Sequence, residues 1–233
     1  MFFDFHIHGN HKLALEAFNL GYHGVALVSD SEKFEKRHNL LNGIVGNKQH
    51  IKKLSQPLLL KGVEINAKNP EDLKKKLNKF RTEMDVILVK GGSLKINRAA
   101  SEDPKVDILS NPYRSRIDSG INHVLAVKAA ENRVAIEINI KYLLVNRLNQ
   151  RHRILSQFQQ IVKLHRKYKF PVIITSDAAS IYDLRSPQDV IALAACFGMT
   201  NEEAIEAMSS IPKEIMGRSK LRDKIIVSGA RLV

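Results

Sequence analysis

Short apolar runs alternate with helix-like segments along most of the chain, and this alternation limits the fold more than any other feature. Residues 2–7, 24–28, 58–65, 86–90, 106–109, 134–138 and 171–175 are each brief, β-branched or otherwise apolar, and bounded by turn-forming residues. Such runs read as strands. Helical patterns fall between most of them, at 11–20, 70–80, 118–132, 149–168, 187–197 and 201–209. In 70–80, Pro70 stands at the start, Glu71 and Asp72 in the first turn, and Lys74, Lys75 and Lys76 later, the order that suits a helix dipole. In 149–168, Ile154, Leu155, Phe158, Ile161 and Val162 recur at helical spacing. Strand–helix alternation builds βαβ units and a parallel sheet. Seven strands, with an eighth that has no clear place, predict a single-domain α/β fold, a (β/α)-barrel of TIM-like form. An open doubly wound sheet is the alternative, because periodicity does not report closure. The barrel is expected over 1–212, with 213–233 a basic, loosely attached C-terminal segment.

Charge narrows the function. The 233 residues carry 37 Lys and Arg against 24 Asp and Glu, a net charge of +13, which favours a polyanionic partner, most commonly nucleic acid. The single Cys196 excludes a disulfide framework and a cysteine-based zinc site. The start, Met1-Phe2-Phe3-Asp4-Phe5-His6, lacks the basic region and apolar run of a signal peptide, and no segment approaches the ~20 apolar residues of a membrane span. A cytoplasmic protein with no membrane partner is expected.

Polar residues punctuate the strands. Asp4, His6 and His8 alternate with Phe3, Phe5 and Ile7, and period two places the polar three on one face, pointing into the barrel mouth, with the apolar ones packed on helices. Two histidines so spaced can chelate a metal, or can be hydrogen-bonded groups of a polar interior. Asp30, Glu64, Glu137 and Asp177 each end an apolar strand, where a carboxylate binds a cation, pairs with Lys or Arg, or lines a wet cleft.

The segments Asp4-Phe5-His6-Ile7-His8, Ser29-Asp30-Ser31, Gly62-Val63-Glu64 and Thr175-Ser176-Asp177-Ala178-Ala179 resemble the motifs of the polymerase-and-histidinol-phosphatase (PHP) metallo-phosphoesterases. That family has distorted barrels with several metal ions. His6, His8, Glu64 and Asp177 match its ligand positions, whereas Ser31 and Ala179 stand where it has histidines, and 86–93 lacks a third. A closer resemblance covers most of the chain: residues 84–92, Asn97-Arg98-Ala99-Ala100, then 106–110, 133–139 and 172–178 are similar to the archaeal ribonuclease P protein component 3 family. It implies a PHP-like barrel whose metal site, His6, His8, Glu64 and Asp177, is degraded and holds no ion, and which has no catalytic residue of its own. It further implies a subunit of the ribonucleoprotein that removes 5′ leaders from precursor tRNA. Catalysis there belongs to the RNA with Mg²⁺, and the partners are ribonuclease P RNA, component 2 and other ribonuclease P proteins. The alternative is a residual PHP-type phosphoesterase working with one ion.

Two basic groups are candidates for RNA. From Ile138 to Ser176 there is no acidic residue, while Lys141, Arg147, Arg151, Arg153, Lys163, Arg166, Lys167 and Lys169 fall there. Lys90, Lys95 and Arg98 follow the fourth strand, with Gly91-Gly92 permitting close approach; Arg114 and Arg116 follow the Ser110-Asn111-Pro112 turn, and Arg185 lies beyond Asp177. In a barrel these loops share the C-terminal face. With 6% aromatics and no Trp, backbone and shape contacts are expected rather than base stacking.

Overall fold

The computed structural model describes residues 1–32, 57–222, 225–227 and 230–231. Seven parallel strands, β1 (Phe2–Ile7), β2 (Tyr22–Asp30), β3 (Leu58–Ile65), β4 (Val86–Lys90), β5 (Ile108–Ser110), β6 (Ala135–Asn139) and β7 (Val172–Thr175), stand side by side in chain order. β1 and β7 meet through an isolated bridge between Ile7 and Ala178, where the His8 N–H donates to the Ala178 carbonyl at 2.7 Å. The sheet is therefore a nearly closed barrel rather than an open one. Among the described residues the possible eighth strand has no place in the barrel: β8 (Ile225–Val227) and β9 (Ala230–Arg231) pair with each other, antiparallel, in a separate sheet.

The helices are α1 (His11–Asn19), α2 (Pro70–Phe80), α3 (Leu94–Glu102), α4 (His123–Asn132), α5 (Ile140–Val145), α6 (Leu148–Tyr168), α7 (Pro187–Ala194), α8 (Asn201–Met208) and α9 (Ser210–Arg222). α2 has the expected bounds, with the Asn69 side chain accepting from the Asp72 N–H and Pro70 in its first turn. α4 starts later than residue 118 because Gly120 has φ +71° and Asn122 supplies the cap. α3 was expected as loop. Its buried side carries Asn97 and Ser101 beside Ile96 and Ala100, which masks the helical period.

Each strand has two buried faces. The outer faces, with Val25, Leu27, Val63, Ile65, Ile87 and Val89, pack on helix residues such as Leu13, Leu73, Leu77, Ile96 and Phe158. The inner faces, with Ala26, Val28, Val86, Leu88, Ile108, Ala135 and Ile173, form a second cluster. Phe3 and Phe5 belong to that inner cluster and Ile7 to the outer one, which corrects the expectation that all three face helices. The β1–β2 register is irregular between Asp4 and Ile7, and this shift turns His6 inward after Phe5. Asp4 does not share the face of His6; its carboxylate accepts from the His6 and Ser176 N–H groups.

The break expected after residue 212 falls inside α9. Ile215 is buried in the inner cluster, with Ile211 and Met216 against it. Arg218 lies 3.7 Å from Asp107, and its guanidinium reaches the Asn132 carbonyl; both groups sit just before strands. α9 thus closes the N-terminal end of the barrel and leaves the C-terminal end open for polar groups. Ile215→Ala is expected to cost about 2–4 kcal/mol in urea unfolding, and Glu214→Ala, on the exposed side, less than about 0.5.

Candidate functional site

At the C-terminal end the inner positions turn polar. Ser110 continues the face of Ile108, Glu137 that of Ala135, Thr175 that of Ile173 and Lys90 that of Leu88, while Glu64 is the last residue but one of β3. The result is a linked cage. His6, fully buried, places Nδ1 2.6 Å from Glu137 Oε1. Glu137 also accepts from the Thr175 hydroxyl at 2.6 Å and the Asn111 N–H at 3.1 Å. Glu64 accepts from the Ser110 hydroxyl at 3.0 Å and from Lys90 Nζ at 3.2 Å. Asp177 lies 2.9 Å from His8 Nε2 through one oxygen and accepts from the Asn139 amide at 2.8 Å through the other. Its φ of +50°, uncommon outside glycine, turns its backbone sharply just past β7.

The electrostatics follow from burial among like charges. Burial disfavours a charged His6, yet Glu137, with Asp177 and Glu64 behind it, outweighs that and pushes the imidazole up to about 10. Burial also disfavours a charged Asp177, but the His8 hydrogen bond, the His6 charge and the Asn139 amide hold its carboxyl well below the usual range. Burial pushes Asp4 up to about 6 in spite of its N–H donors.

All four residues expected at a remnant metal site, His6, His8, Glu64 and Asp177, converge here. Two imidazole nitrogens and two carboxylate oxygens suit a borderline divalent cation. His6 Nε2 is buried and has no hydrogen-bond partner, and its other nitrogen is held by a carboxylate, the arrangement that orients a histidine ligand. The donors present therefore fit one ion. The places of the missing imidazoles serve the backbone instead: the Ser31 hydroxyl accepts from the Asn66 N–H, and the Ala179 N–H donates to Asp183.

The basic candidates divide. Lys95 and Arg114 are exposed and, among the described residues, form no ion pair. Arg98 lies on α3 rather than a loop and pairs with Glu102 in solvent; Arg116 pairs with Asp118. Lys90 and Lys141 belong to the cage, Lys141 Nζ lying 3.1 Å from the Asp177 carbonyl and 3.2 Å from Asp183. Arg185 donates to the Tyr182 and Leu184 carbonyls. The Gly91-Gly92 pair serves the chain itself. A Cβ on Gly91 would lie 2.7 Å from Asn97 Oδ1 and 2.9 Å from Ser110 O, and one on Gly92 2.9 Å from Arg114 O. The sequence reading missed Asn97, which accepts from the Gly92 N–H and donates to the Pro112 and Gly120 carbonyls, locking the two loops together. It placed Glu137 among the acids that end strands without finding its partner His6, and it did not single out Asn139; the similarity of Val63-Glu64-Ile65-Asn66 to Ile136-Glu137-Ile138-Asn139 is the signal that sets both beside Glu64 and Asn66. Glu137→Ala strips partners from His6, Thr175 and Asn111 at once and is expected to cost about 3–5 kcal/mol in urea unfolding, against less than about 1 for Glu102→Ala on the surface.

A family model described as RNase P subunit p30 matches residues 1–224. Ribonuclease P protein component 3 of Methanothermobacter thermautotrophicus is 47% identical over 237 residues, covering 100% of this chain and 95% of that protein. The Methanosarcina mazei protein of the same name is 39% identical over 94% of this chain and 90% of its own length. Among solved structures, a chain of archaeal Ribonuclease P with mature tRNA superposes with a TM-score of 0.83 at 32% identity, covering 99% of this chain and 97% of that one. A Xaa-Pro dipeptidase superposes with a TM-score of 0.58 at 11% identity over 99% of this chain and 78% of that one, a likeness of fold alone. With a family model and full-length relatives both spanning the barrel, the chain belongs to the RNase P subunit p30 family.

Proposed function

We propose that this chain is an RNA-binding protein subunit of ribonuclease P, the ribonucleoprotein that removes 5′ leaders from precursor tRNA. The observation that carries the reading is the superposition, over 99% of the chain, on a chain of archaeal Ribonuclease P with mature tRNA. In this reading the partners are ribonuclease P RNA, component 2, the other ribonuclease P proteins and precursor tRNA. Mg²⁺ acts through the RNA, and the chain supplies phosphate contacts rather than reacting groups. A residual phosphoesterase has less support, since three imidazoles of the PHP pattern are replaced at Ser31, Ala179 and along β4.

Contacts to phosphate begin with the cations that point outward. Lys95 and Arg114 are exposed, and Arg98 and Arg116 are held by surface carboxylates that a phosphate can displace, since such pairs contribute only about 0–1 kcal/mol. On α6, Arg153, Lys163 and Lys167 are exposed and no acid lies on that helix. Lys90, Lys141 and Arg185 are bonded within the barrel mouth and its loops, and add to the field there rather than reaching out. Guanidinium forks suit phosphate oxygens, and each phosphate neutralised adds about 0.7–0.9 to the logarithmic salt dependence.

The test is binding of ribonuclease P RNA across a salt series, together with cleavage of precursor tRNA by the enzyme reconstituted with and without the chain. Omitting the chain is expected to reduce cleavage. Alanine at Lys95, Arg98, Arg114 and Arg116 together is expected to reduce the salt slope by about 3 and affinity at least tenfold, with the fold unchanged by circular dichroism. Wild-type affinity and slope in that variant would remove this surface from the RNA interface.

A further inference from the structure

Tyr182 stands apart from the other aromatic residues. It is 81% exposed, whereas every other Phe and Tyr among the described residues is buried or half-buried. It sits on a single 3₁₀ turn, Ile181–Asp183, on the loop that follows β7. The ring is therefore displayed at the C-terminal end of the barrel, the end that carries the outward cations. Ile181 beside it is 56% exposed. Among the described residues, no hydrogen bond or ring contact engages the Tyr182 side chain.

The backbone beneath this free ring is fixed from several sides. One oxygen of Asp183 accepts from the Ala179 N–H at 2.9 Å and the Ser180 N–H at 3.0 Å, and Lys141 Nζ lies 3.2 Å from it. Arg185 donates to the Tyr182 carbonyl at 2.8 Å, and its own carbonyl accepts from the Tyr22 hydroxyl at 3.1 Å. Leu184, between them, is buried in the core. The turn is thus tied to α5, to β2 and to the core, so the cost of ordering it is met on folding. Only the two side-chain torsions of the tyrosine remain to be fixed by a ligand.

We propose that Tyr182 is a stacking platform for one unpaired base of ribonuclease P RNA. Charge selects this occupant. The acids of the loop are engaged within it, Asp183 by Lys141 and two N–H groups and Asp189 by the Ser186 hydroxyl. Lys141 and Arg185 stay cationic beside the turn, in a chain of net charge +13, and the field draws the phosphates that flank a stacked base. Every base has a π-face, so such a platform needs no sequence readout, and a base inside a duplex is already stacked, so the one captured is unpaired. The inference rests on the RNA-binding reading and adds to it a contact of another kind. The rim cations set the salt dependence, whereas the ring adds affinity that salt leaves nearly unchanged. Low aromatic content argues against stacking along the whole surface, but a single exposed ring on a fixed support serves a single base.

The chain has no Trp, so Tyr182→Trp in the full-length protein supplies a sole indole at this position. Ribonuclease P RNA is expected to quench its emission in step with binding, and a fully paired RNA duplex of equal length is expected not to. Tyr182→Ala is expected to weaken binding of ribonuclease P RNA about tenfold, with the salt slope and the thermal midpoint those of the wild type. Tyr182→Phe is expected to bind as the wild type does, and Tyr182→Leu, apolar but without a π-face, to bind as weakly as Tyr182→Ala. Emission that stays unquenched while the RNA binds, or wild-type affinity in Tyr182→Ala, overturns the proposal and leaves the RNA-binding reading standing; that reading falls only if the wild-type chain does not bind the RNA. Unchanged RNA affinity in Tyr182→Ala with weakened binding of component 2 makes the ring a protein contact and overturns the proposal. Quenching by precursor tRNA at lower concentration than by ribonuclease P RNA overturns the choice of RNA.

Discussion

Carboxylates gathered at the end of a closed sheet need cations beside them, and the architecture of the C-terminal half follows from meeting that need. Glu64 and Glu137 are buried and Asp177 nearly so. Left alone, such groups would protonate or pull the strands apart. His6 sits among all three, Lys90 reaches Glu64, and Lys141 bridges the Asp177 carbonyl to Asp183. The register irregularity in β1 is what makes this possible. With a regular pleat, Phe5 and His6 would face opposite sides; with the shift, both face inward, Phe5 into the apolar layer and His6 into the polar one above it.

The two ends of the barrel are solved differently. The lower interior is apolar and is closed by α9, which inserts Ile215 and fastens itself through Arg218 near Asp107. Burial raises the Asp107 carboxyl, while Arg81 and Arg218 beside it pull the other way, so the acid at this end is also matched by the chain's own cations. The upper interior is polar and its loops are linked through Asn97, Gly91 and Gly120. A closed bottom and cross-linked loops make the upper face a rigid platform, which suits a surface that recognises shape and backbone.

The strands were legible because a parallel sheet covered on both faces leaves nearly continuous apolar runs, and all seven runs became staves. The ligand-like residues were legible because the histidines interrupt the first run at alternate positions and the acids stand at the ends of later ones. Three things were not. Alternation alone placed Asp4 with His6, since a bulge leaves no mark in the pattern. α3 hid behind a buried face that contains Asn97 and Ser101. α9 carries its apolar contacts at Ile211, Ile215 and Met216 within a strongly basic segment, and composition there suggested a free tail. The direction of a lysine is equally hidden: nothing in Lys90-Gly91-Gly92 says that the ammonium turns inward to Glu64.

That last point changes how the charge is understood. A net +13 invites the assumption that every cation near a loop faces a ligand. Two of the cations at the mouth instead neutralise acids of the barrel, and the glycines beside them admit the backbone of Ser110 and Arg114 rather than a phosphate. The outward field then comes from Lys95, Arg98, Arg114 and Arg116 around the rim and from the acid-free α6. A buried cluster of histidines and carboxylates and an outward basic surface thus occupy the same end of the barrel without competing. The first faces inward and holds strands together; the second faces outward and can vary without disturbing the cage beneath it.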